Sequence, residues 1–449
     1  MRNMYLASAA ALALSASGAL ADAHADLTFP VGEGDFNWDS YTTFADAYDL
    51  SGQTVTITGP WTGADAELVN SVIAYFEAAT GANVEYSGSD SFEQDIVIAT
   101  QADSPPNIAV FPQPGLISDL ASRGELTPLS EDTAQWLRDN YAAGESWVSL
   151  ATAAGPDGTE ALYGFFYKVD VKSLVWYSPE AFDEAGYDVP ETMEDLLALS
   201  EEMVENGETP WCIGLGSGAA TGWPATDWVE DIMLRTQSPE IYDQWVANEM
   251  PFDAPEVVNA IEVFGSFARN NDWVNGGSAA VAATDFRDSP GGLFTFPPEC
   301  YMHRQASFIP TFFPEDSDAD FFYFPAFEGE DLGSPVLGAG TAFGITEDSE
   351  ATQAFMAFLQ TPIAHEVWMA QSGFLTPHTG VNSELFASDT LRQMNDILLE
   401  ATTFRFDASD LMPSEIGQGI FWSGMVDFVG GEDAASVAGR IQARWQEIQ

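Results

Sequence analysis

The chain has 449 residues, with 13 basic and 70 acidic side chains and a formal net charge of −57. A surface this acidic repels phosphates and excludes nucleic acid as a partner. Because 46% of the residues are hydrophobic and the acidic ones are scattered along the chain, the composition predicts a globular protein and not a disordered one. The length is sufficient for two domains.

The N-terminus has the pattern of a secretory signal peptide. Arg2 precedes an uncharged, Ala/Leu-rich run from Met4 to Leu20, followed by two Ala-X-Ala sites. We expect residues 1–25 to be removed and the mature protein to lie in the periplasm. The run is shorter than the roughly 18 residues of a membrane span. No cysteine near either site can carry a lipid, so we expect a protein without a membrane anchor.

Residues 54–111 alternate between strand-like and helix-like patterns. The predicted elements are a strand over Thr54–Thr58, a helix over Ala64–Thr80, a strand over Asn83–Tyr86, a helix over Ser91–Gln101 and a strand over Asn107–Phe111. This β-α-β-α-β order predicts a parallel sheet, in which ligands bind beyond the carboxyl ends of the strands.

The residues that follow these three strands are therefore candidates for ligand contact. They are Trp61 with Asp65, Ser89 with Asp90, and Phe111 with Gln113. An aromatic ring can stack on the apolar face of a pyranose, while carboxylate, amide and hydroxyl groups pair with its hydroxyls. The alternative is that single residues such as Asp65 or Ser91 only cap a helix.

The pattern changes beyond about Lys168. The predicted elements are strands over Val171–Trp176, Trp211–Leu215, Gly291–Phe296, Phe321–Pro325 and Val336–Ile345, and helices over Pro179–Glu184, Met193–Asn206, Pro239–Asn248, Pro255–Asn270, Ala351–Gln360 and Pro362–Ala370. The chain shows no internal repeat and no Gly/Ser or Pro linker. We therefore expect any second domain to be joined through hinge strands.

A tryptophan-rich stretch runs from Thr209 to Asp231. It contains Trp211, Trp223 and Trp228 among mostly small, hydroxylated or acidic residues. This mixture suits a carbohydrate site. The alternative is that these tryptophans pack in a core, which is their usual role.

The chain has only two lysines and two cysteines. Lys168 and Lys172 either donate hydrogen bonds in a polar cleft or form local ion pairs, for example with Asp170. Cys212 and Cys300 are an even number in an exported chain, which favours one disulfide over a metal pair or a reactive thiol.

The motifs of common enzymes and cofactor sites are absent. There is no HExxH, GxSxG or GxxxxGK[ST] sequence, and Gly214–Ala219 matches a dinucleotide loop only loosely. Asp316, Asp318 and Asp320 lack the Gly and Glu of a calcium loop and are interpreted as a solvated turn. We therefore predict no catalytic residue, no cofactor and no metal. The alternative classes are a secreted carbohydrate-active enzyme, since paired carboxylates cleave glycosidic bonds, and a receptor-linked sugar sensor.

Three stretches carry a resemblance to a known family: Val171–Tyr177 followed by Ala185–Tyr187, Ala220–Trp228, and Phe296–Cys300. The chain resembles the family 1 extracellular solute-binding proteins of carbohydrate ABC importers, of the maltose-binding type, and specifically their alpha-glucoside-binding branch. The resemblance spans nearly the whole mature chain.

The resemblance implies an α/β, two-lobed periplasmic binding protein fold of type II. Each lobe would be a mainly parallel sheet flanked by helices, with the ligand cleft between the lobes. The chain would cross between the lobes near Tyr167, Phe324 and Gly373. The first lobe would then comprise residues 26–166 and 325–372, and the second residues 167–324 and 373–449. Lobe closure would trap the sugar and present it to a membrane permease.

The resemblance also implies ligand-binding positions. In the first lobe they coincide with the six candidates named above; in the second they are Trp223 with Asp227, Glu299, and Trp422. Trp422 resembles the aromatic platform of maltose-binding proteins. Phe296–Cys300 departs from the many relatives that present a Trp there. Lys168 and Lys172 lie beside the first hinge.

We therefore expect a monomeric importer-associated binding protein for a neutral, small α-glucoside such as maltose, sucrose or trehalose. A glucosylated compatible solute such as glucosylglycerol is the alternative ligand, favoured by the acidic, salt-suited surface.

Overall fold

The computed structural model describes residues 27–142, 144–315 and 317–448. The expected signal peptide over residues 1–25 lies outside these ranges, as does Asp316 of the expected acidic turn. Among the helices of the described ranges, none combines the length and the apolar character that crossing a bilayer requires.

The strands of the described residues are numbered here in chain order. They are β1 (Thr54–Gly59), β2 (Asn83–Gly88), β3 (Ile108–Phe111), β4 (Thr152–Ala154), β5 (Glu160–Leu162), β6 (Phe165–Val171), β7 (Leu174–Tyr177), β8 (Met302–Arg304), β9 (Asp320–Tyr323), β10 (Pro335–Ile345) and β11 (Thr403–Phe406).

The α-helices of the described residues are numbered in the same way. They are α1 (Trp38–Ala47), α2 (Gly63–Thr80), α3 (Phe92–Gln101), α4 (Pro114–Ser122), α5 (Glu131–Asn140), α6 (Gly144–Leu150), α7 (Pro179–Ala185), α8 (Met193–Glu205), α9 (Trp223–Thr236), α10 (Pro239–Val246), α11 (Pro255–Ala268), α12 (Ser278–Val281), α13 (Glu350–Leu359), α14 (Pro362–Met369), α15 (Asp389–Glu400), α16 (Ala408–Leu411), α17 (Trp422–Val429) and α18 (Ala434–Ile448). A π-helix over Glu415–Phe421 leads directly into α17.

The larger sheet has the strand order β11-β10-β3-β1-β2, and β6 also pairs with β10. β1 pairs in parallel with both β2 and β3, so the predicted β-α-β-α-β unit is confirmed. Val55 and Ile57 alternate into the core, while α2 buries Val72 and Phe76 and stops at Gly81 with φ +73°. The carboxyl ends of these parallel strands meet at one edge, which forms one wall of a cleft.

The smaller sheet, with the strand order β8-β7-β9, contradicts the expectation that each lobe has a mainly parallel sheet. β7 pairs antiparallel with β8 and with β9, so this sheet is not mainly parallel. The strand predicted over residues 211–215 is reduced to parallel bridges from Trp211 to Val274 and Met302. Gly214 explains the loss, because Gly weakens a strand interior.

A second correction concerns residues 291–296, which the sequence predicted as a strand. The structure has a 3-10 helix over Ser289–Phe294. Pro290 fixes its own φ and suits the first turn of a helix, and the two glycines that follow it lack the side chains that stabilise strands.

Two hydrophobic cores define the lobes. They place the first and the last crossing between the lobes later in the chain than the sequence predicted. Most of the first core comes from residues 41–174 and 336–406, and most of the second from residues 175–324 and 408–445. The first crossing lies between β6 and β7, after the expected Tyr167. The last lies at Asp407 and not near Gly373, because Phe374 and Phe386 are buried in the first core and β11 pairs with β10.

Cys212 and Cys300 form a disulfide with a Cα–Cα distance of 5.4 Å across 88 residues of sequence. The predicted pairing is therefore confirmed. It fastens the tryptophan-rich segment to the loop that precedes β8.

Candidate functional site

A cleft of about 920 Å³, counting the solvent at its mouth, lies between the lobes. This volume falls in the range of small-ligand sites, roughly 300–1,000 Å³. Its floor is formed by the hinge strands, with Lys168 and Asp170 from β6 and Gly340 and Thr341 from β10.

The carboxyl ends of β1, β2 and β3 supply the first-lobe wall, as predicted for a parallel sheet. The residues that line the cleft here include Trp61, Asp65, Ser89, Asp90 and Gln113. The Trp61 indole is held edge-on against Trp368 at 4.9 Å between ring centroids. Gln113 donates from Nε2 to Glu93 Oε1 at 2.8 Å, and its own buried Oε1 has no hydrogen-bond partner.

Asp65 lies in the first turn of α2, where its Oδ1 is shielded and has no hydrogen-bond partner. Burial raises the pKa of Asp65 to about 6, and the charge of Lys168 offsets part of that rise. An acceptor that lacks a protein donor is a position where a ligand hydroxyl can donate.

Two predicted site residues do not line the cleft. Phe111 is fully buried in β3 and packs against Phe92 at 5.5 Å between ring centroids, because the side chain of the last strand residue points into the core. Glu299 is exposed, and Asn275 Nδ2 donates to its Oε2 at 3.4 Å. Neither belongs to the set of residues that form the cleft walls.

Aromatic rings form the second-lobe wall. Trp223 begins α9 and packs edge-on against Phe286 at 5.0 Å. Trp422 begins α17 and is 4% exposed, with its indole Nε1 unpartnered. Gly222 allows the two segments to meet: its φ is +118°, and a Cβ there would lie 2.3 Å from the Trp422 carbonyl oxygen. The predicted pair Trp223 and Trp422 thus lines one wall.

Both lysines line the cleft and both form ion pairs, so the two interpretations that the sequence left open apply together. Lys168 lines the cleft and also forms an ion pair with Asp170 at 2.8 Å. Asp170 accepts a further hydrogen bond from Ser307 Oγ at 3.1 Å. The pair fixes the β6 side chains at the bottom of the cleft.

Lys172 joins the hinge to a buried cluster of carboxylates. Its Nζ lies 2.9 Å from Asp227 Oδ1 and also contacts Asp407. Asp227, Glu230 and Asp407 have oxygens within 4.8 Å of one another, all buried. Carboxylates at this spacing can hold a metal, but the Lys172 ammonium already supplies a cation to two of them.

The charges in this cluster perturb one another. Burial raises the pKa of Asp227 to about 7 although Lys172 pulls it down, and burial also raises the pKa of Glu230 and Asp410 well above the ordinary value. For Lys172, burial lowers the pKa, but the surrounding carboxylates outweigh burial and hold it above its ordinary value. Burial thus favours the neutral form of these carboxyl groups, while Lys172 favours their charged form.

The sequence alone missed several cleft residues. They include Glu93, Asp170, Ser217, Phe286, Arg287, Phe308, Thr341, Ser409 and Asp410. Arg287 stands out because its Nη2 lies 2.7 Å from Asp90 Oδ1 on the opposite lobe. The sequence does contain a signal that could have identified Arg287, because basic residues are rare in this chain, which has only 13 of them.

A family model described as bacterial extracellular solute-binding protein matches residues 59–366. The chain belongs to this family. Members bind solutes and do not transform them, and the family is extracellular, consistent with a periplasmic location for this solute-binding protein.

Two curated relatives span almost the whole chain. The Alpha-glucosides-binding periplasmic protein AglE of Rhizobium meliloti (strain 1021) is 62% identical over 95% of this chain and 94% of its own length. The Osmoprotective compounds-binding protein GgtB of Synechocystis sp. is 43% identical over 88% of this chain and 93% of its own length. The chain thus falls in the alpha-glucoside branch of the family.

A solved structure supports the fold. The bacterial solute receptor AcbH, described with an exclusive preference for β-D-galactopyranose, has a TM-score of 0.75 at 17% identity, covering 89% of this chain and 100% of that one. The predicted two-lobed α/β architecture is confirmed.

Proposed function

We propose that this protein captures a small, neutral α-glucoside between its lobes and delivers it to the permease of an ABC importer. The 62% identity to an alpha-glucosides-binding protein supports the ligand class. The cleft supports it independently, since indole rings from both lobes face a space rich in carboxylate and amide groups.

The observation that carries the neutral character of the ligand is the balance of charge in the cleft. Every cationic side chain that lines it is already paired: Lys168 with Asp170, Lys172 with Asp227, and Arg287 with Asp90. The carboxylates of Asp65, Glu93 and Asp410 remain without a cationic partner of their own among the cleft residues. An anionic ligand would gain no free cation and would meet these acceptors, whereas hydroxyls can donate to them.

Ten of the predicted contacts are retained in this proposal. Trp61, Trp223 and Trp422 offer ring faces, and the other seven, Asp65, Ser89, Asp90, Gln113, Lys168, Lys172 and Asp227, offer polar groups. We further propose that the mature protein lacks residues 1–25, carries no lipid and acts as a monomer.

A binding panel tests the proposal. Tryptophan fluorescence and thermal unfolding of the mature protein are followed with maltose, sucrose, trehalose, glucosylglycerol, glucuronic acid and a few amino acids. We expect a saturable response and a raised melting temperature with the neutral glucosides alone. A response to glucuronic acid or to amino acids alone would contradict the proposal, and cleavage of the sugar would indicate an enzyme.

A glucosylated compatible solute is the second candidate. The 43% identity to an osmoprotective compounds-binding protein and the net charge of −57 favour it. In the same panel, this candidate requires glucosylglycerol to bind more tightly than the disaccharides.

A further inference from the structure

Arg287 is held in a fixed orientation by its own lobe. Its backbone N–H donates to Asp285 Oδ1 at 2.9 Å, and its Nη1 lies 3.4 Å from the same oxygen. The guanidinium lies over the Phe286 ring at 4.3 Å and near that of Phe312 at 5.8 Å. A planar guanidinium stacked in this way loses little freedom when it forms further hydrogen bonds.

The same guanidinium reaches across the mouth of the cleft. Its Nη2 donates to Asp90 Oδ1 at 2.7 Å and to Thr62 Oγ1 at 3.2 Å. Thr62 in turn donates to Asp90 at 3.2 Å. Both partners lie on the first lobe, in the loops after β1 and β2, so three polar groups from two lobes close into one network.

A second contact brings the lobes together at the same place. Gly218 of the second lobe has φ +55°, and a Cβ on it would lie 2.9 Å from the Asp90 Cβ and 3.1 Å from the Asp90 carbonyl oxygen. The Asp90 loop is therefore packed against the second lobe by its backbone as well as by the ion pair.

One donor of the network has no protein partner. Arg287 lines the cleft, and its Nε–H is buried without an acceptor. A buried donor left unpaired is costly. A sugar oxygen in the cleft would satisfy it.

We propose that Arg287 is the positioning residue of the closed state, which fastens the second lobe to Asp90 and Thr62 of the first and donates from Nε to an oxygen of the bound ligand. This latch, formed by Arg287, Asp90 and Thr62, follows from contacts within the chain; only the identity of the ligand oxygen that accepts from Nε rests on the proposed function. Because the latch must break before the ligand leaves, it acts mainly on the dissociation rate.

The test uses the mature protein with R287Q, D90N and the double variant R287Q/D90N. Arg440→Gln is the matched control, because Arg440 pairs with Asp427 and Glu432 within the second lobe, away from the cleft. Small-angle X-ray scattering of the ligand-free protein reports lobe opening. Stopped-flow tryptophan fluorescence reports the dissociation rate of the tightest glucoside of the panel.

We expect R287Q and D90N each to increase the ligand-free radius of gyration and to accelerate dissociation about tenfold, the effect of one charged hydrogen bond. The double variant should be no worse than the more affected single variant, because both changes break one network. The control should match the wild type.

Arg287→Lys separates the two roles. It keeps the charge that faces Asp90 but removes Nε, so we expect a near-normal radius of gyration together with faster dissociation. An unchanged radius of gyration in R287Q and D90N, or additive effects in the double variant, would overturn the latch. If the wild type binds no glucoside, the proposed function fails, while scattering from the ligand-free variants still decides the latch.

Discussion

Replacing Lys172 with Met removes the one ammonium group from the buried carboxylate cluster while keeping a side chain of similar length. Lys172 contacts both Asp227 and Asp407, and all three side chains are at most 7% exposed. Breaking a buried ion pair from one side costs about 3–5 kcal/mol, because the remaining charge is left uncompensated in a medium of low dielectric. Asp227 keeps a second cation, because Arg304 Nη1 lies 3.8 Å from its Oδ2, whereas Asp407 loses its ion pair with Lys172. We therefore expect a loss within this range at pH 8.

The loss should depend on pH, and its sign follows from the carboxylates. Burial raises the folded-state pKa of Asp227 to about 7, above the unfolded value of 3.8. A group with a raised folded pKa contributes stability that is present at low pH and is lost as the pH rises through that folded pKa. Without Lys172 the pKa of Asp227 rises further, so the Lys172→Met variant should recover part of its deficit at pH 5.5.

Urea unfolding followed by tryptophan fluorescence at pH 5.5 and pH 8 measures both effects. Arg138→Met is the control, because Arg138 forms exposed ion pairs with Glu131 and Glu145, and such pairs contribute little to stability. A Lys172→Met deficit below about 1 kcal/mol would refute the argument that the cluster depends on this cation. So would a deficit of equal size at both pH values.

Three further predictions concern the cleft, the disulfide and a buried histidine. Trp422→Ala should weaken glucoside binding by about 1–3 kcal/mol in titration calorimetry. The control is Trp445→Ala in the second core, which should lower stability and leave affinity unchanged. Equal affinities for both variants would assign Trp422 to packing. Replacing both Cys212 and Cys300 with Ser should lower the free energy of unfolding by about 4–5 kcal/mol, the chain-entropy value for a loop of 88 residues. A decrease of less than about 1 kcal/mol in urea titrations would contradict this prediction. Burial lowers the pKa of His303 to about 4, so its contribution to stability is present above the unfolded pKa of 6.5 and is lost as the pH falls toward 4. His303→Gln should therefore flatten the plot of unfolding free energy against pH by about 1.4 kcal/mol per pH unit between these values. Parallel plots for the variant and the wild type would disprove this prediction.

The wall of the cleft in the first lobe could be predicted because it depends on local order. A strand followed by a helix, repeated, fixes a parallel sheet, and the residues after each strand then share one edge. Trp61, Asp65, Ser89, Asp90 and Gln113 follow from this rule. Phe111 failed the same rule by one residue, since the last residue of a strand still points into the core.

The second lobe was less predictable because its elements are fixed by distant contacts. The expected strand over residues 291–296 is a 3-10 helix, and the smaller sheet is antiparallel because β8 and β9 join β7 from far along the chain. Neither local propensity nor periodicity specifies such pairings.

The sequence by itself determined the fold class, the export signal expected for residues 1–25, the disulfide and half of the cleft, because composition, periodicity and strand order are properties of short segments. Only the tertiary structure decided where the chain crosses between lobes, which carboxylates surround Lys172, and that Arg287 meets Asp90. These depend on residues more than 50 positions apart, such as Lys172 and Asp227, and their proximity is set by the packing of two cores and not by any pattern along the chain.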